Sequence, residues 1–513
     1  MIPSGADWSR AVVRAEHESL GDYLRQRMTQ KQRANILFLS FNQWDFALAA
    51  LADAALTVRD MGSRATCGFW AGAVPLRDAG WTTSHRLARL CGSSTVDMKV
   101  ERALRAAGVP REDLVMPPLS SWKPVDDITI PGPLNRSEIR GLTYRGTPMG
   151  RAILQVHPDR ETPVTDEHRW PRRWLQSAAR SYAWTLDQTL ALIAERAISA
   201  VAVFNGRFLH DRAVMEAARM RDLPILSYDM GGNETDFDLT LDSTHDWKAL
   251  QHRMLDMYAQ WPPDERDDLG SRWFMDRVAH ADPQNALFVE SQRSGEAIDR
   301  DGIDCLVVYF SSSGDEIAEL ELDWGAFFGG QGQAVRMVAE EVRKLPGHRL
   351  VVRTHPHKRF KPRQDVEEWL AHVDAARPDI HLDQFSPVDS YALMRQADIV
   401  VTYGSTTGIE AAFAGKPVIV MGPSAYDILG CVTPVSTRQE LASALTRPAA
   451  GTREASLAWG LMMMRRGFNY RFVTRTPEGE RSLGGVTFSD ACAPARHVGH
   501  WLHMRRTRAL LGD

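Results

Sequence analysis

The amino-acid sequence predicts an α/β protein built from two doubly wound domains, each around a mostly parallel sheet. Three observations lead there. At 513 residues the chain exceeds what one hydrophobic core serves. Short apolar runs of strand length alternate with helical stretches across residues 35–228 and again across 305–421. Between the two series lies a polar stretch, 261–301, rich in Asp, Arg and Gln.

The elements follow in order. Residues 7–30 space Trp8, Val12, Leu20, Leu24 and Met28 as one side of an amphipathic helix. The run 35–41 predicts a strand, the alanine-rich 46–59 a helix, and 65–71 a second strand. Prolines and mixed charges weaken the pattern over 117–171, which reads as an insertion or a long connection. Order resumes with a helix over 174–196, a strand 200–204, a helix 211–221 and a strand 224–228. The second series has strands at 305–310, 349–354, near Ile380, 399–403 and 418–421. Helices are predicted between them at 333–344, 366–373, 388–395 and 408–414. The implied organisation is an N-terminal helical extension to 32, a first domain 33–295, a second domain 296–465 and a helical tail 466–513. Trp501, Leu502, Leu510 and Arg505 in that tail suit docking on the first domain, or contact with an anionic membrane surface.

Bulk properties exclude several classes. A formal net charge of −4 gives no basic field for general nucleic-acid binding. No stretch reaches the roughly 18 apolar residues of a membrane span, and the first thirty residues lack the apolar core of a secretory signal. Five scattered cysteines without CxxC spacing fit reduced thiols rather than a disulfide framework or a zinc site. A cytoplasmic protein is expected, with the tail as its candidate contact with the inner face of a membrane.

The densest chemistry is Gly404-Ser-Thr-Thr-Gly-Ile-Glu410, which follows a strand, opens a helix and leads into Gly415-Lys-Pro417. A helix N-terminus at a strand's carboxyl end favours phosphate. Ser405, Thr406 and Thr407 add hydroxyls there, and Gly404 and Gly408 allow close backbone approach. Glu410 is placed to accept from a ribose diol. A plain N-cap would explain a bare Ser-Thr pair, but not the whole unit.

Arg353-Thr-His-Pro-His357 ends another strand. Pro356 holds His355 extended, where it could donate to a phosphate oxygen and stabilise a leaving group, with Arg353 adding charge. A metal pair with His357 and a purely structural His-Pro turn are the alternatives. Ser311, Ser312 and Ser313, at a third strand end, offer hydroxyls to the same phosphates. Asp315 and Glu316 after them could instead be first-turn helix carboxylates. In the first domain, Asn205, Arg207 and His210 follow one strand, and Asp229 ends another. Asp229 is the candidate general base, and a turn aspartate beside glycines is the competing reading.

His355-Pro356, then Ser405-Thr406-Thr407 with Glu410 before Gly415-Lys416-Pro417, resemble the HP and S-S/T motifs of bacterial capsule-type transferases. That group spans capsule polysaccharide biosynthesis proteins related to β-Kdo transferases, polysialyltransferases and CDP-glycerol glycerophosphotransferases. Ser311–Ser313 with Glu316, Asn205-Gly206-Arg207, and Arg466, Tyr470 and Phe472 after the donor domain are similar to further parts of the pattern. The resemblance implies a GT-B fold, two Rossmann-like domains facing a cleft, with the donor in the C-terminal domain and no bound metal or cofactor required. It implies donor phosphate at His355 and Ser405–Thr407, ribose near Glu410, and cytidine or uridine donors. A glycan or lipid-linked glycan acceptor would bind in the first domain. The acidic triplet of polysialyltransferases is absent in that order, since Gly314-Asp315-Glu316 reverses it. The expected function is glycosyl transfer in capsule, exopolysaccharide or surface-glycan assembly. CDP-polyol phosphotransfer, nucleotide-sugar 2-epimerisation and non-catalytic nucleotide-sugar binding are the competing readings.

Overall fold

In the computed structural model, the described residues are 34–71, 85–115, 126–156, 168–241, 244–282, 285, 289–290, 292–312, 327–361, 363–488 and 498. The predicted helix over 7–30 and the tail helix beyond 498 lie outside them. The described chain forms two compact α/β units, one from residues up to His245 together with the segment from Arg466, the other from Asp246 to Arg465.

Unit 1 opens with β1 (Asn35–Ser40), α1 (Asp45–Asp60), β2 (Arg64–Phe69), α2 (Val96–Ala106) and β3 (Leu114–Val115). It continues through α3 (Arg172–Glu195), β4 (Ala200–Phe204), α4 (Leu209–Arg219), β5 (Ile225–Met230) and β6 (Asp236–Leu241). Unit 2 comprises α5 (Trp247–Gln260), α6 (Pro263–Val278), β7 (Cys305–Phe310), α7 (Gln331–Val342), β8 (His348–Arg353), α8 (Arg363–Ala376) and β9 (Ile380–Leu382). Then follow α9 (Ser390–Gln396), β10 (Ile399–Thr402), α10 (Thr407–Phe413), β11 (Val418–Val420), β12 (Thr433–Pro434), α11 (Arg438–Thr446) and α12 (Arg453–Arg465). The chain returns to unit 1 as β13 (Phe468–Asn469), β14 (Thr474–Arg475), β15 (Arg481–Leu483) and β16 (Val486–Thr487).

The sheet of unit 2 has the order β12-β11-β10-β7-β8-β9, parallel throughout. Numbered within the unit this is 6-5-4-1-2-3, the doubly wound order, and it reverses between β7 and β10. Both faces are covered, so β7 reads Cys-Leu-Val-Val-Tyr-Phe with no polar alternation. The sheet of unit 1 runs β13-β6-β5-β4-β1-β2-β3 and reverses between β1 and β4. Its β6 and β13 edge is antiparallel. The predicted fold class, two doubly wound α/β units, is the one observed.

Three expectations about boundaries need correction. Unit 2 begins at Asp246 rather than 296, because α5 and α6 pack against α12. The polar 261–301 stretch, read as the boundary between the domains, contains a helix of unit 2, since Trp273 and Phe274 on α6 are buried in its core. The described part of the tail, 466–488, is strand where helix was expected, with Phe468 pairing to Phe237 across β13 and β6. In the weak stretch 117–171, Ile130, Tyr144, Met149 and Trp170 join the main hydrophobic core of unit 1.

One buried carboxylate ties the returning segment down. Asp53, in the middle of α1 and 1% exposed, accepts at Oδ2 from the backbone N–H groups of Arg471, Phe472 and Val473 at 2.9, 2.7 and 2.9 Å. Asp53→Ala should leave three N–H donors without their partner and destabilise unit 1 by about 3–5 kcal/mol. Chemical denaturation and faster amide exchange at 471–473 would show it. Unchanged exchange there would mean that the segment is held by its side-chain packing instead.

Candidate functional site

A pocket opens in unit 2 at the carboxyl ends of β7, β8 and β10, beside the point where the strand order reverses. Ligands of open α/β sheets bind at such switch points. The six-residue register of β7 on β8, Cys305↔His348 to Phe310↔Arg353, brings Ser311 level with the His355 turn. The Ser311 hydroxyl accepts from the His355 backbone N–H at 2.8 Å.

The cationic part of the pocket is built on β8. Arg353 is 2% exposed, and its guanidinium donates to the carbonyls of Asp383 at 2.7 Å and Ser386 at 3.2 Å. Among the described residues its Nε has no hydrogen-bond partner. Burial lowers its pKa to about 10, with Asp383 and Asp389 pulling the other way, so it stays charged at neutral pH. Beside it, burial first and then the charges of His357, Lys358, Arg353 and Lys361 lower the His355 pKa to about 3. Its Nδ1 accepts from the His357 N–H at 3.1 Å, so the single proton of the neutral ring sits on Nε2. His355 is therefore a neutral hydrogen-bond donor in a positive field.

The acidic part centres on Glu410, 5% exposed in α10. Its Oε1 accepts from Arg277 Nε and from the Tyr391 hydroxyl, the latter at 3.2 Å. Asn285 closes the ring, donating to Tyr391 Oη at 3.0 Å and accepting from Arg277 at 3.3 Å. Burial would lower the Arg277 pKa, but Glu410, Tyr391 and Asp282 reverse that and raise it. Burial and Glu410 raise that of Tyr391. Arg277, Asn285, Gln292 and Tyr391 line the pocket and were not anticipated. The first three come from the stretch read as a boundary, and Tyr391 from a helix read as scaffold. No motif marks them.

The serine and threonine run behaves unevenly. Ser405, Thr406 and Thr407 all line the pocket. The Ser405 hydroxyl donates to Thr407 Oγ1 at 3.3 Å, and its backbone N–H donates to Thr402 Oγ1 at 2.9 Å. Gly404 and Gly408 have a different reason from ligand approach. Gly404 has φ 79°, and a Cβ there would meet the Pro423 carbonyl, while one on Gly408 would meet the Tyr426 hydroxyl. That hydroxyl donates to the Ser405 carbonyl at 2.5 Å, so both glycines let protein pack on the loop. Ser311 reaches the pocket. Ser312 instead donates from its backbone N–H and hydroxyl to Gln331 Oε1, at 2.5 and 3.1 Å, and is not among the lining residues. Ser313, with Asp315 and Glu316, lies outside the described residues. Among the described residues no group of three or more His, Cys, Asp and Glu could hold a metal ion.

In unit 1, Asn205 donates to Asp229 Oδ2 at 2.5 Å, and His245 Nε2 lies 2.7 Å from Asn205 Oδ1. Arg207 sits half-buried over the Phe208 ring at 5.0 Å. His210 does not join them. It is fully buried in α4, stacks on Phe41 at 4.8 Å, and pairs through Nδ1 with Thr185 Oγ1 at 2.9 Å, a packing role. Arg466 and Tyr470 pack within unit 1: Gly232 N–H donates to the Arg466 carbonyl at 2.8 Å, and Tyr470 stacks on Phe237 at 5.5 Å.

Residues 319–472 match the family model for capsule polysaccharide biosynthesis protein, the group that the motifs resemble. No curated protein matches the chain. Among solved structures, the β-Kdo 2,4 transferase KpsC of Thermosulfurimonas dismutans is similar at 18% identity and TM-score 0.32, over 53% of this chain and 94% of its own. UDP-GlcNAc 2-epimerase from Neisseria meningitidis, bound to UDP-GlcNAc, is 11% identical with TM-score 0.27, over 86% and 96%. The spinosyn rhamnosyltransferase SpnG is 12% identical with TM-score 0.25, over 84% and 96%. At these scores the three structures carry nothing about substrate or reaction. Among the described residues no helix is long and apolar enough to cross a membrane.

The depressed His355 pKa has a measurable consequence. Between its unfolded value of 6.5 and about 3, the unfolded chain takes up a proton that the folded chain refuses, so His355 makes stability rise with pH. Above that interval the penalty is gone. His355→Asn should flatten the slope within the interval by up to about 1.4 kcal/mol per pH unit, read from denaturation curves at several pH values. An unchanged slope would mean that His355 is accessible and titrates normally.

Proposed function

We propose that the chain is a glycosyltransferase that moves a sugar from a nucleotide-activated donor, of cytidine or uridine type, to a glycan acceptor. The process would be capsule, exopolysaccharide or other surface-glycan assembly. The observation that carries the reading is the polarity of the unit 2 pocket. One part holds a buried guanidinium, charged at neutral pH, with carbonyl partners and a neutral imidazole donor, Arg353 and His355. The other holds a carboxylate already paired to Arg277 and accepting from the Tyr391 hydroxyl.

A nucleotide sugar has the matching polarity: anionic phosphate at one point, and ribose and sugar hydroxyls on both sides of it. Phosphate exchanges water for Arg353, His355 and the Ser405–Thr407 loop, and charge-assisted bonds of this kind are the strong ones. Hydroxyls are accepted by Glu410, whose charge Arg277 compensates, so binding a neutral diol leaves no unpaired charge buried. As the bond to phosphate breaks, negative charge grows on the leaving oxygen. A donor already in place at His355 stabilises that charge without reorganisation. The family match over 319–472 supports the surface-polysaccharide context.

The test is a thermal-shift screen of the purified protein against CMP, CDP, UMP, UDP, GDP and dTDP. One nucleotide at about a hundred times its Kd should stabilise the protein by about 2.7 kcal/mol. Thr406 lines the pocket, and its hydroxyl makes no capping hydrogen bond to α10. Thr406→Val should therefore weaken that nucleotide by about 1–3 kcal/mol. His355→Ala should lower turnover more than affinity. No shift with any nucleotide at millimolar concentration, or full affinity in Thr406→Val, would count against the phosphate site.

A further inference from the structure

The polar set at the end of α6 is larger than the packing of that helix requires. Apolar contacts already seat α6 in unit 2. Trp273 and Phe274 are buried in the core, and Phe274 stacks on Phe413 of α10 at 4.1 Å. Gly270 lies so close to α12 that a Cβ there would meet the Leu457 carbonyl. Arg277 stands three residues after Phe274, and Glu410 three before Phe413, so the stacked rings also bring guanidinium and carboxylate together. A buried ion pair adds little to stability that apolar packing already supplies. The pair between Arg277 and Glu410 therefore calls for a reason other than joining two helices.

Every nitrogen of the Arg277 guanidinium donates. Nε goes to Glu410 Oε1, Nη1 to Asp282 Oδ2 at 2.9 Å and Nη2 to Asn285 Oδ1 at 3.3 Å. The same group lies over the Trp273 ring at 4.7 Å. A guanidinium held on all these sides is better placed to fix a neighbour than to receive a phosphate. Asn285 accepts through Oδ1, so its Nδ2 is free to donate to Tyr391 Oη, which it does at 3.0 Å. The Tyr391 hydroxyl then donates its own proton to Glu410 Oε1 at 3.2 Å. Arg277 thus reaches Glu410 twice, directly and through Asn285 and Tyr391. Both routes end on the same carboxylate oxygen.

We infer that Arg277 is a positioning residue that makes the pocket select ribonucleotides: by holding Glu410 through Oε1, it reserves Oε2 for the ribose hydroxyls. This rests on the glycosyltransferase reading and its nucleotide-activated donor. A carboxylate accepts and a hydroxyl donates, so a ribose hydroxyl at Oε2 makes a charge-assisted bond. A 2′-deoxyribose offers one hydroxyl fewer. A buried carboxylate built to accept that hydroxyl rejects the analogue without it, because its own acceptor is left unsatisfied. The rejection depends on a fixed carboxylate plane, since a side chain free to turn would find other donors. Lysine at this position would keep the charge but could not span Glu410, Asp282 and Asn285 in one plane.

Isothermal titration of the full chain with CDP, UDP and GDP, and with their 2′-deoxy forms, decides it. The wild-type protein should bind its preferred ribonucleotide at least about tenfold tighter than the deoxy form, as expected for a hydrogen bond to a charged group. Arg277→Met should bring that ratio to within about twofold, by weakening the ribonucleotide and sparing the deoxy form. Arg277→Lys should lower the ratio as well, because charge alone does not fix the plane. It leaves Glu410 no unpaired charge, and so serves where Arg277→Met fails to fold. Tyr391→Phe takes only the second donor from Oε1 and should lower the ratio by at least about threefold. A purely structural role would weaken both forms alike and leave the ratio where it was. A ratio near one in the wild type, or one that survives in a folded Arg277 variant, overturns the inference while nucleotide binding leaves the transferase reading standing. Absence of binding of any of these nucleotides by the wild type counts against the transferase reading and removes the inference with it.

Discussion

A parallel sheet must send each connection over one of its two faces, and where neighbouring strands send theirs to opposite faces the loops cannot close over the strand ends. That constraint shapes both units. It separates the loop after β7 from the loop after β10, and the pocket occupies the space left between them. Burial of both sheet faces makes the register hard to shift, since a slip of one residue would reverse every side chain. The six paired positions of β7 and β8 therefore fix where Ser311, Arg353 and His355 emerge. The same reversal recurs between β1 and β4, and Asn205 follows β4 directly.

Charge is arranged on that frame in two different ways. Among the described residues no carboxylate is hydrogen-bonded to the buried Arg353, whose planar fork spans two backbone carbonyls. Lysine could not span both in one plane and would lose its charge more readily on burial. Glu410 is buried with its counter-ion attached, and Tyr391 and Asn285 complete its hydrogen bonds. A buried cation short of an anion and a buried anion already matched to a cation favour different ligand groups. The first favours an anion, the second a neutral hydroxyl.

How much of this the sequence disclosed depends on how local the signal is. β7, β8 and β10 are continuous apolar runs ending in Ser, His-Pro and Gly-Ser-Thr-Thr, so both the strands and the site at their ends could be read directly. Arg277 could not. It sits on a polar-looking helix 133 residues before its partner Glu410, and only folding brings the two together. The unit boundary at 245/246 was hidden for the same reason, because α5 and α6 show their affiliation only through packing on α12. β6 alternates Asp-Phe-Asp-Leu-Thr-Leu, and its aspartates masked a strand whose Phe237 is buried. His210 misled in the opposite sense: polar residues cluster around it in sequence, yet the helical period turns it into the core.

The two units also share one physical device. In each, burial and neighbouring cations keep an imidazole neutral, His355 near Arg353 and Lys358, His245 near Arg207 and Arg466. What differs is which nitrogen the surrounding structure engages. A backbone N–H donates to Nδ1 of His355 and leaves the proton on Nε2, so that ring can only donate onward. A side-chain carbonyl accepts from Nε2 of His245. The first suits stabilising an anion that meets Nε2. The second arrangement needs Asn205 in a left-handed turn, Asp229 from β5, and Arg466 from a segment that returns after the whole of unit 2. No stretch of sequence holds all three, so the device is a property of the fold and not of a motif.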